Sequence, residues 1–173
     1  MCVILVKPKG IEMPPKRELM LAASTNPHGF GFVSSNGLYK RTMSFIEFYE
    51  ALKGVGKDDA CIMHLRIATH GSHKVSNCHP FKEGDIYFAH NGVIHIPVKG
   101  DKTDSETEFN DVLYPAAVRY GLDSPEFNLL VKQEIGWSKF AFMQNGHIWL
   151  FGRFIEQNGI YYSNLNHHYR YAY

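Results

Sequence analysis

The chain opens directly on a strand-like segment, and this feature limits the possible folds more than any other. Residues 2–7, with the sequence CVILVK, form a short run rich in β-branched side chains that is bounded by Pro8 and Gly10. Such a run is typical of a buried strand. We therefore expect the chain to start inside the core, with Cys2 at the beginning of its first strand.

Length and composition favour one ordinary globular domain. The chain has 173 residues, of which 45% are hydrophobic and 20% are charged. These values exclude a disordered or fibrous chain. A second autonomous core would need roughly 100 further residues. We therefore expect a single domain over residues 1–173.

Charge and apolar patterning exclude several classes of partner. Lys and Arg number 18 and Asp and Glu number 17, so neither nucleic acid nor an anionic membrane is an expected partner. No apolar run approaches the ~18 residues of a membrane-spanning helix, and no export signal precedes the first strand. The 3 cysteines form no CxxC pair, which indicates a reducing compartment. These features predict a soluble, cytoplasmic protein.

Hydrophobic periodicity and turn residues predict the other elements. The predicted strands cover residues 29–35, 38–43, 60–67, 85–90, 139–144, 147–152 and 159–164, and the predicted helices cover 16–24, 45–52, 105–120 and 125–135. Asn36-Gly37 predicts a type I′ hairpin turn. Ser44 and Ser105 each precede a Glu by three positions, the spacing of a helix capping box. Strands at both ends with helices between them favour an α+β fold with mostly antiparallel sheets.

Cys2 is the first residue with chemical potential. Methionine aminopeptidase removes Met1 when a small residue such as Cys follows. The chain would then begin with a thiol and a free α-amine, whose pKa of ~7.7–8.0 suits a general base attached to its own nucleophile. The alternative is a buried strand cysteine behind a retained Met1.

Three later segments contain residues with possible chemical roles, and each segment also has a purely structural interpretation. In residues 64–72, Arg66 and several short hydrogen-bond donors follow a predicted strand. This arrangement suits binding of a carboxylate ligand, and the structural alternative is a surface salt bridge with a capped turn. Residues 89–92 end in Asn-Gly, which forms either an oxyanion hole or a simple turn. The acidic residues of 103–108 open a helix and are most often capping groups.

The order of these motifs is more specific than any one of them. An N-terminal Cys followed by HLRIATHG, NCHPF, HNG and TDSE resembles the glutaminase domain of class II glutamine amidotransferases, within the N-terminal nucleophile hydrolases. HLRIATHG is especially similar to the version in glutamine-fructose-6-phosphate amidotransferases. NPHGFGF resembles the family's Asn-x-Asp-Gly-x-Gly loop, with His28 in the usual place of Asp.

The resemblance implies a fold and an activity. The implied fold is a four-layer αββα sandwich, in which two antiparallel sheets pack between helical layers. The implied activity is hydrolysis of the side-chain amide of glutamine through a γ-glutamyl thioester, with release of ammonia. Neither a cofactor nor a metal is expected. The protein would act either alone or with a separate synthase subunit that accepts the ammonia.

The resemblance also implies residue roles. Cys2 would be the nucleophile, with its α-amine as base. Asn91 Nδ2 and the Gly92 N–H would stabilise the oxyanion, as a thioester route requires. Arg66 would bind the substrate carboxylate, and Asp104 would bind its ammonium. Thr69 and His70 would line the pocket, and His79 would support the pocket loop.

Three other readings stay open at this stage. The same pocket would hold the γ-glutamyl end of a peptide, which makes a γ-glutamyl peptide hydrolase the first alternative. A retained Met1 would favour a glutamine-binding module without turnover. A zinc site is the third, since the chain offers the scattered ligands Cys61, His64, His70, His73, Cys78, His79, His90 and His95, although they lack the paired spacing of known zinc motifs.

Overall fold

The computed structural model describes residues 1–68, 73–98, 100 and 102–169. The strands are β1 (Val3–Lys7), β2 (Phe30–Ser34), β3 (Tyr39–Thr42), β4 (Cys61–Leu65), β5 (Phe81–Glu83), β6 (Ile86–Asn91), β7 (Lys139–Gln144), β8 (His147–Phe151), β9 (Ile155–Gln157) and β10 (Ile160–Tyr162). The α-helices are α1 (Lys16–Thr25), α2 (Phe45–Leu52), α3 (Asp104–Glu108), α4 (Tyr114–Tyr120), α5 (Pro125–Glu134) and α6 (Asn166–Tyr169). A π-helical segment (Phe109–Leu113) joins α3 to α4.

The strands form two sheets. The first has the order β3-β2-β4-β1-β10-β9, and the second has the order β5-β6-β7-β8. Neighbouring strands run antiparallel in both sheets. The antiparallel α+β architecture predicted from the sequence is therefore confirmed.

The side chains of β1 alternate between two apolar layers because successive residues of a strand point to opposite faces. Val3 and Leu5 belong to a core shared with α1 and α2. Ile4 and Val6 belong to a second core, which includes side chains of β6 and β7 from the other sheet. The N-terminal strand is thus buried on both faces, as its composition predicts.

A third apolar layer covers the outer face of the second sheet. Its aromatic side chains come from β6, β7, the π-helical segment and α5, and include Phe88, Phe109, Phe127, Phe140 and Phe142. The successive layers are therefore α1 and α2, the first sheet, the second sheet, and the segments α3 to α5. This is the four-layer αββα sandwich that the resemblance implies.

Two local predictions need correction. The hairpin at Asn36-Gly37 forms, but only Gly37 has a positive φ, of 89°. The N–H of Gly37 donates to the carbonyl of Ser34, so Ser35 and Asn36 are the central residues of the turn. The turn is therefore not the predicted type I′. Its geometry is that of a three-residue loop with Gly in the left-handed position.

The helix predicted over residues 105–120 begins earlier and is not regular. Thr103 caps it, since its side chain accepts a hydrogen bond from the N–H of Glu106. Ser105 is therefore inside the helix, where it is buried and bonds to other side chains. The capping box at Ser44 is in the predicted place, with its side chain bonded to the N–H of Glu47. The short elements β5, β9 and α6 were not predicted, because each has too few residues to show a period.

The described helices do not include one that combines the length and apolar content needed to cross a bilayer.

The loop that precedes β5 lies across β2 and β3. The hydroxyl of Tyr39 donates to the carbonyl of Pro80 over 2.9 Å, and Arg41 Nη1 donates to the carbonyl of Cys78 over 3.2 Å. The closest approach is at Gly31, where a Cβ atom would lie 2.1 Å from the carbonyl oxygen of His79. Only glycine lets the loop pack so tightly on β2.

We expect the substitution Gly31→Ala to lower the free energy of unfolding by about 1–3 kcal/mol, because the added methyl group forces the strand and the loop apart. Gly56→Ala is the matched control. Its Cβ would meet nothing closer than Asp59 Oδ2 at 3.4 Å, so the change should stay below about 1 kcal/mol. Urea unfolding of both variants measures the difference. Equal stabilities would contradict the close packing at Gly31.

Candidate functional site

The ends of four strands meet at one edge of the sandwich. In the antiparallel register Val3 pairs with Leu65, so the start of β1 lies beside the end of β4. Cys2 consequently contacts Ile67: the Cys2 Sγ lies 3.4 Å from both the N–H and the carbonyl oxygen of that residue. The end of β10 reaches the same point, since the side-chain amide of Asn164 donates to the carbonyl of Cys2 over 2.7 Å.

The thiol of Cys2 lies in a partly desolvated, positively charged environment. Burial raises its pKa. The hydrogen bond from Ile67 and the charge of Arg66 act in the opposite direction and lower it. Burial is the largest of these effects, so the pKa stays above its ordinary value and the thiol needs a base to remove its proton.

Arg66 is buried at the end of β4, and its backbone is held by the loop that precedes β2. Its N–H donates to the carbonyl of Gly29, and its carbonyl accepts from the N–H of His28, both over 2.8 Å. His28 Nδ1 in turn accepts from the N–H of Ala68 over 3.0 Å. The histidine in the usual place of Asp thus supplies an acceptor that fixes the chain after Arg66.

Asn91 links the two sheets at this edge. It is the last residue of β6, and its Nδ2 donates to Ser163 Oγ over 2.7 Å. Ser163 follows β10 in the first sheet, and its Oγ also accepts from the N–H of Ile4 over 2.8 Å. The Asn91 amide is therefore oriented by a residue bonded to the strand that carries Cys2.

Gly92 is at a position that excludes any side chain. Its φ is 151°, and a Cβ atom would lie 2.1 Å from Ser138 Oγ and 2.7 Å from Ser138 Cβ. Backbone without a side chain can approach a ligand closely. Gly92 is also one of the residues that line the adjacent cavity.

Asp104 is the first residue of α3 and forms part of another wall of the site. Its Oδ2 accepts from the N–H of Ile94 over 2.9 Å, and its Oδ1 accepts from the N–H of Ser105 over 2.8 Å. The Ser105 hydroxyl bridges Asp104 to His90, with its Oγ 2.7 Å from His90 Nδ1. These contacts fix the carboxylate while leaving it at the cavity surface.

One cavity of about 360 Å³ joins most of these groups, although Asn91 is not among its lining residues. Cys2, Arg66, His79, Gly92 and Asp104 all line it, together with the apolar side chains Val93, Ile94, Ile96 and Val98. Larger clefts of about 490 and 760 Å³ lie elsewhere, but neither is lined by a cysteine or an arginine. The arrangement offers a nucleophile, a cation, a carboxylate and an N–H donor to one small polar molecule.

The central part of the chain is similar to a known protein family. The model of the family described as class II glutamine amidotransferases matches residues 52–135. This match confirms the predicted resemblance to class II glutamine amidotransferases. The matched segment contains Arg66, Asn91, Gly92 and Asp104, whereas Cys2 precedes it. A glutamine-type small-molecule substrate and the general function of the family follow from the match.

Of the site residues that the sequence predicts, the structure brings Cys2, Arg66, His79, Gly92 and Asp104 to one cavity, whereas Asn91 is not among its lining residues. Thr69 and His70, which were expected to line the pocket, lie outside the described residues. Sequence reasoning missed Ser163 and Asn164, which contact Asn91 and Cys2. The signal that could have found them is a pair of short polar residues directly after the closing strand of the predicted sheet.

Three buried histidines form a cluster at the cavity. The rings of His64 and His79 are 4.2 Å apart, and those of His79 and His90 are 6.5 Å apart. His64 Nε2 donates to the carbonyl of His90 over 3.1 Å, which leaves its Nδ1 without a hydrogen. These rings do not belong to any group of three metal-ligand atoms that the described residues form. His79 alone of the three lines the cavity, with His64 and His90 packed behind it.

Burial lowers the pKa of all three imidazoles, to about 3 for His64 and about 4 for His90, and well below the ordinary value for His79. In the unfolded chain these groups take up protons near pH 6.5, and in the folded protein they do not. The unfolded state therefore binds more protons below pH 6.5, so stability is lost as the pH falls.

We expect the wild type to lose about 1 kcal/mol more stability than His64→Gln between pH 6 and pH 5, since each such histidine contributes up to about 1.4 kcal/mol per pH unit. The glutamine amide can still donate to the carbonyl of His90. Urea unfolding at both pH values measures the loss. Taking the difference between the two proteins cancels other titrating groups, such as Glu108, whose pKa burial raises to about 7. Parallel pH profiles would contradict a neutral buried His64.

Proposed function

We propose that the protein is a cysteine-dependent amidohydrolase that cleaves the side-chain amide of glutamine and releases ammonia. The observation that carries the proposal is the single cavity lined by Cys2, Arg66, Gly92 and Asp104. A free amino acid presents a carboxylate, an ammonium and a reactive amide. The cavity offers a complementary group for each of them.

The nucleophile in this proposal is Cys2 after removal of Met1. Met1 is 66% exposed, so no packing opposes its removal. The new α-amine of Cys2 accepts the thiol proton as Sγ attacks the amide carbon and forms a C–S bond. The same amine then delivers that proton to the leaving nitrogen, and the C–N bond breaks to release ammonia. Water hydrolyses the resulting thioester to glutamate and restores the thiol.

The tetrahedral intermediate needs two donors for its oxyanion. We assign these to Asn91 Nδ2 and the N–H of Gly92. One hydrogen of the Asn91 amide is engaged by Ser163, which leaves the other for the substrate. Losing one such donor typically raises the barrier by ~2.7–4 kcal/mol.

Arg66 and Asp104 serve as the ends of a zwitterion clamp in this proposal. The guanidinium of Arg66 has the fork geometry that binds a carboxylate through two hydrogen bonds. Asp104 already accepts from Ile94 and Ser105, and its remaining lone pairs suit the α-ammonium. His79 supports the cavity wall between them.

We expect Cys2→Ala to reduce glutaminase turnover by at least about 10³-fold without loss of the fold, since the thiol supplies the reacting electron pair. Alanine is also small enough for Met1 removal, so the two proteins differ only in the thiol. Ammonia release from glutamine measures turnover, and intact mass reports the state of Met1. Cys61→Ala is the control, because Cys61 is buried in β4 away from the cavity. Turnover that survives Cys2→Ala, or a fully active chain that retains Met1, would refute the mechanism.

We expect Arg66→Lys and Asp104→Asn each to lower kcat/KM for glutamine by roughly 30-fold or more. Lysine keeps the charge but cannot reproduce the two-bond fork of Arg66, and Asp104→Asn leaves the substrate ammonium without its charged partner. Glu106→Gln, in the same helical turn but outside the cavity lining, is the control. N-acetylglutamine lacks the ammonium, so the wild type should use it poorly and Asp104→Asn should discriminate against it far less. Equal wild-type use of both substrates would remove Asp104 from the site.

Release of glutamate, the product that both reactions share, separates glutamine from γ-glutamyl peptides as substrates. The apolar wall of Val93, Ile94, Ile96 and Val98 extends the cavity beyond its polar groups and favours the second substrate class as an alternative. A γ-glutamyl peptide with higher kcat/KM than glutamine would assign the protein to that alternative, with the Cys2 chemistry unchanged. Any ammonia acceptor would then have no role.

A further inference from the structure

A second cluster of potential ligands lies apart from the cavity, where the end of the described chain packs on α1. Glu18 is in the first turn of α1, and His167 and His168 are in α6. One ligand atom from each of these three side chains lies within 4.8 Å of the others. None of the three lines the cavity of the candidate active site.

His167 is the unusual member of the cluster. It is only 1% exposed, and neither of its ring nitrogens has a hydrogen-bond partner in the part of the chain that the structure describes. Buried polar atoms are nearly always satisfied, and an exception indicates a missing water or ion. The imidazole therefore lacks a partner of the kind that a metal ion provides.

An ordinary ion pair explains only part of this arrangement. His168 Nε2 lies 3.7 Å from Glu18 Oε1, which is a loose contact between partly exposed groups. The same oxygen accepts a hydrogen bond from the hydroxyl of Tyr162. Both contacts involve Glu18, and they leave the two ring nitrogens of His167 without a hydrogen-bond partner among the described residues. A common ligand for all three side chains would account for the whole cluster.

We propose that Glu18, His167 and His168 bind a divalent transition metal, for which zinc is the probe. Tetrahedral zinc with ligands at ~2.0–2.2 Å separates neighbouring ligand atoms by about 3.4 Å. The Glu18–His168 distance already approaches this value, so small side-chain movements close the site. Two imidazoles and a carboxylate match the ligand preferences of zinc, with water in the fourth position.

Tyr162 has the role of an outer-shell group in this site. Ligating carboxylates are usually oriented by a hydrogen bond from a second residue. The Tyr162 hydroxyl provides that bond to Glu18. The metal would join α6 to α1 and thereby fix the chain on either side of Ser163 and Asn164, which contact Asn91 and Cys2.

Zinc binding is best measured in the Cys2→Ala protein, because the thiol of Cys2 is a competing ligand. We expect the chelator-treated protein to bind one equivalent of zinc in competition with a chromophoric chelator. Zinc at about 100 times its Kd should raise the Tm by roughly 5–10 °C. Cobalt(II) should give the visible spectrum of a nitrogen and oxygen site, without a thiolate-to-metal charge-transfer band.

The ligand variants are Glu18→Gln and His168→Ala. Loss of even an outer-shell partner typically weakens metal binding by ~10–100-fold, so each variant should raise the Kd for zinc by at least about tenfold. Glu18 and His168 are partly exposed, which keeps the folded state accessible if the buried His167→Ala variant does not fold. His147→Ala removes an exposed histidine of β8 and should leave the Kd unchanged.

Two outcomes would overturn the proposal. The first is an equal Kd for zinc in the protein with the intact cluster and in both ligand variants. The second is an unchanged Tm on addition of zinc to the chelator-treated protein. Neither outcome depends on glutamine turnover, so the metal site and the proposed activity are tested separately.

Discussion

The antiparallel pairing of β1 with β4 and β10 is the interaction on which the rest of the structure depends. β1 lies in the interior of its sheet, and its side chains enter the cores on both faces. Its register with β4 sets the start of the chain against Ile67. Because backbone pairing fixes both partners, Cys2 has a defined position although it is nearly the first residue of the chain.

The second constraint joins the two sheets at the same edge. Face-to-face sheets are held mainly by apolar packing, which does not set the positions of polar groups at the strand ends. Here Ser163 accepts from Ile4 of the first sheet and from Asn91 of the second. The Ser163 hydroxyl thus bonds both to Asn91, a proposed oxyanion donor, and to the strand that carries Cys2, the proposed nucleophile.

The electrostatics of the cavity follow from burial. Arg66 is a buried cation, and its charge limits the rise that burial causes in the pKa of Cys2 and adds to the lowering by burial of the pKa of His64 and His79. Burial is the largest cause of the low pKa values of these imidazoles and keeps them neutral, so they do not compete with Arg66 for a carboxylate. The fixed carboxylate of Asp104 lies at the same cavity. The cavity therefore presents separated opposite charges, which suits a zwitterion.

The sequence by itself determined the first strand, most of the regular elements and the motif order that indicates the family. These features depend on local periodicity, turn residues and the spacing of a few side chains, all of which are properties of neighbouring residues. Only the tertiary structure decided how Ser105, Ser163 and Asn164 act. Each bonds a residue from another element, so its role depends on strand register and sheet packing. The cluster of Glu18 with His167 and His168 has the same origin, because 149 positions separate Glu18 from His167 and no local pattern joins residues so far apart.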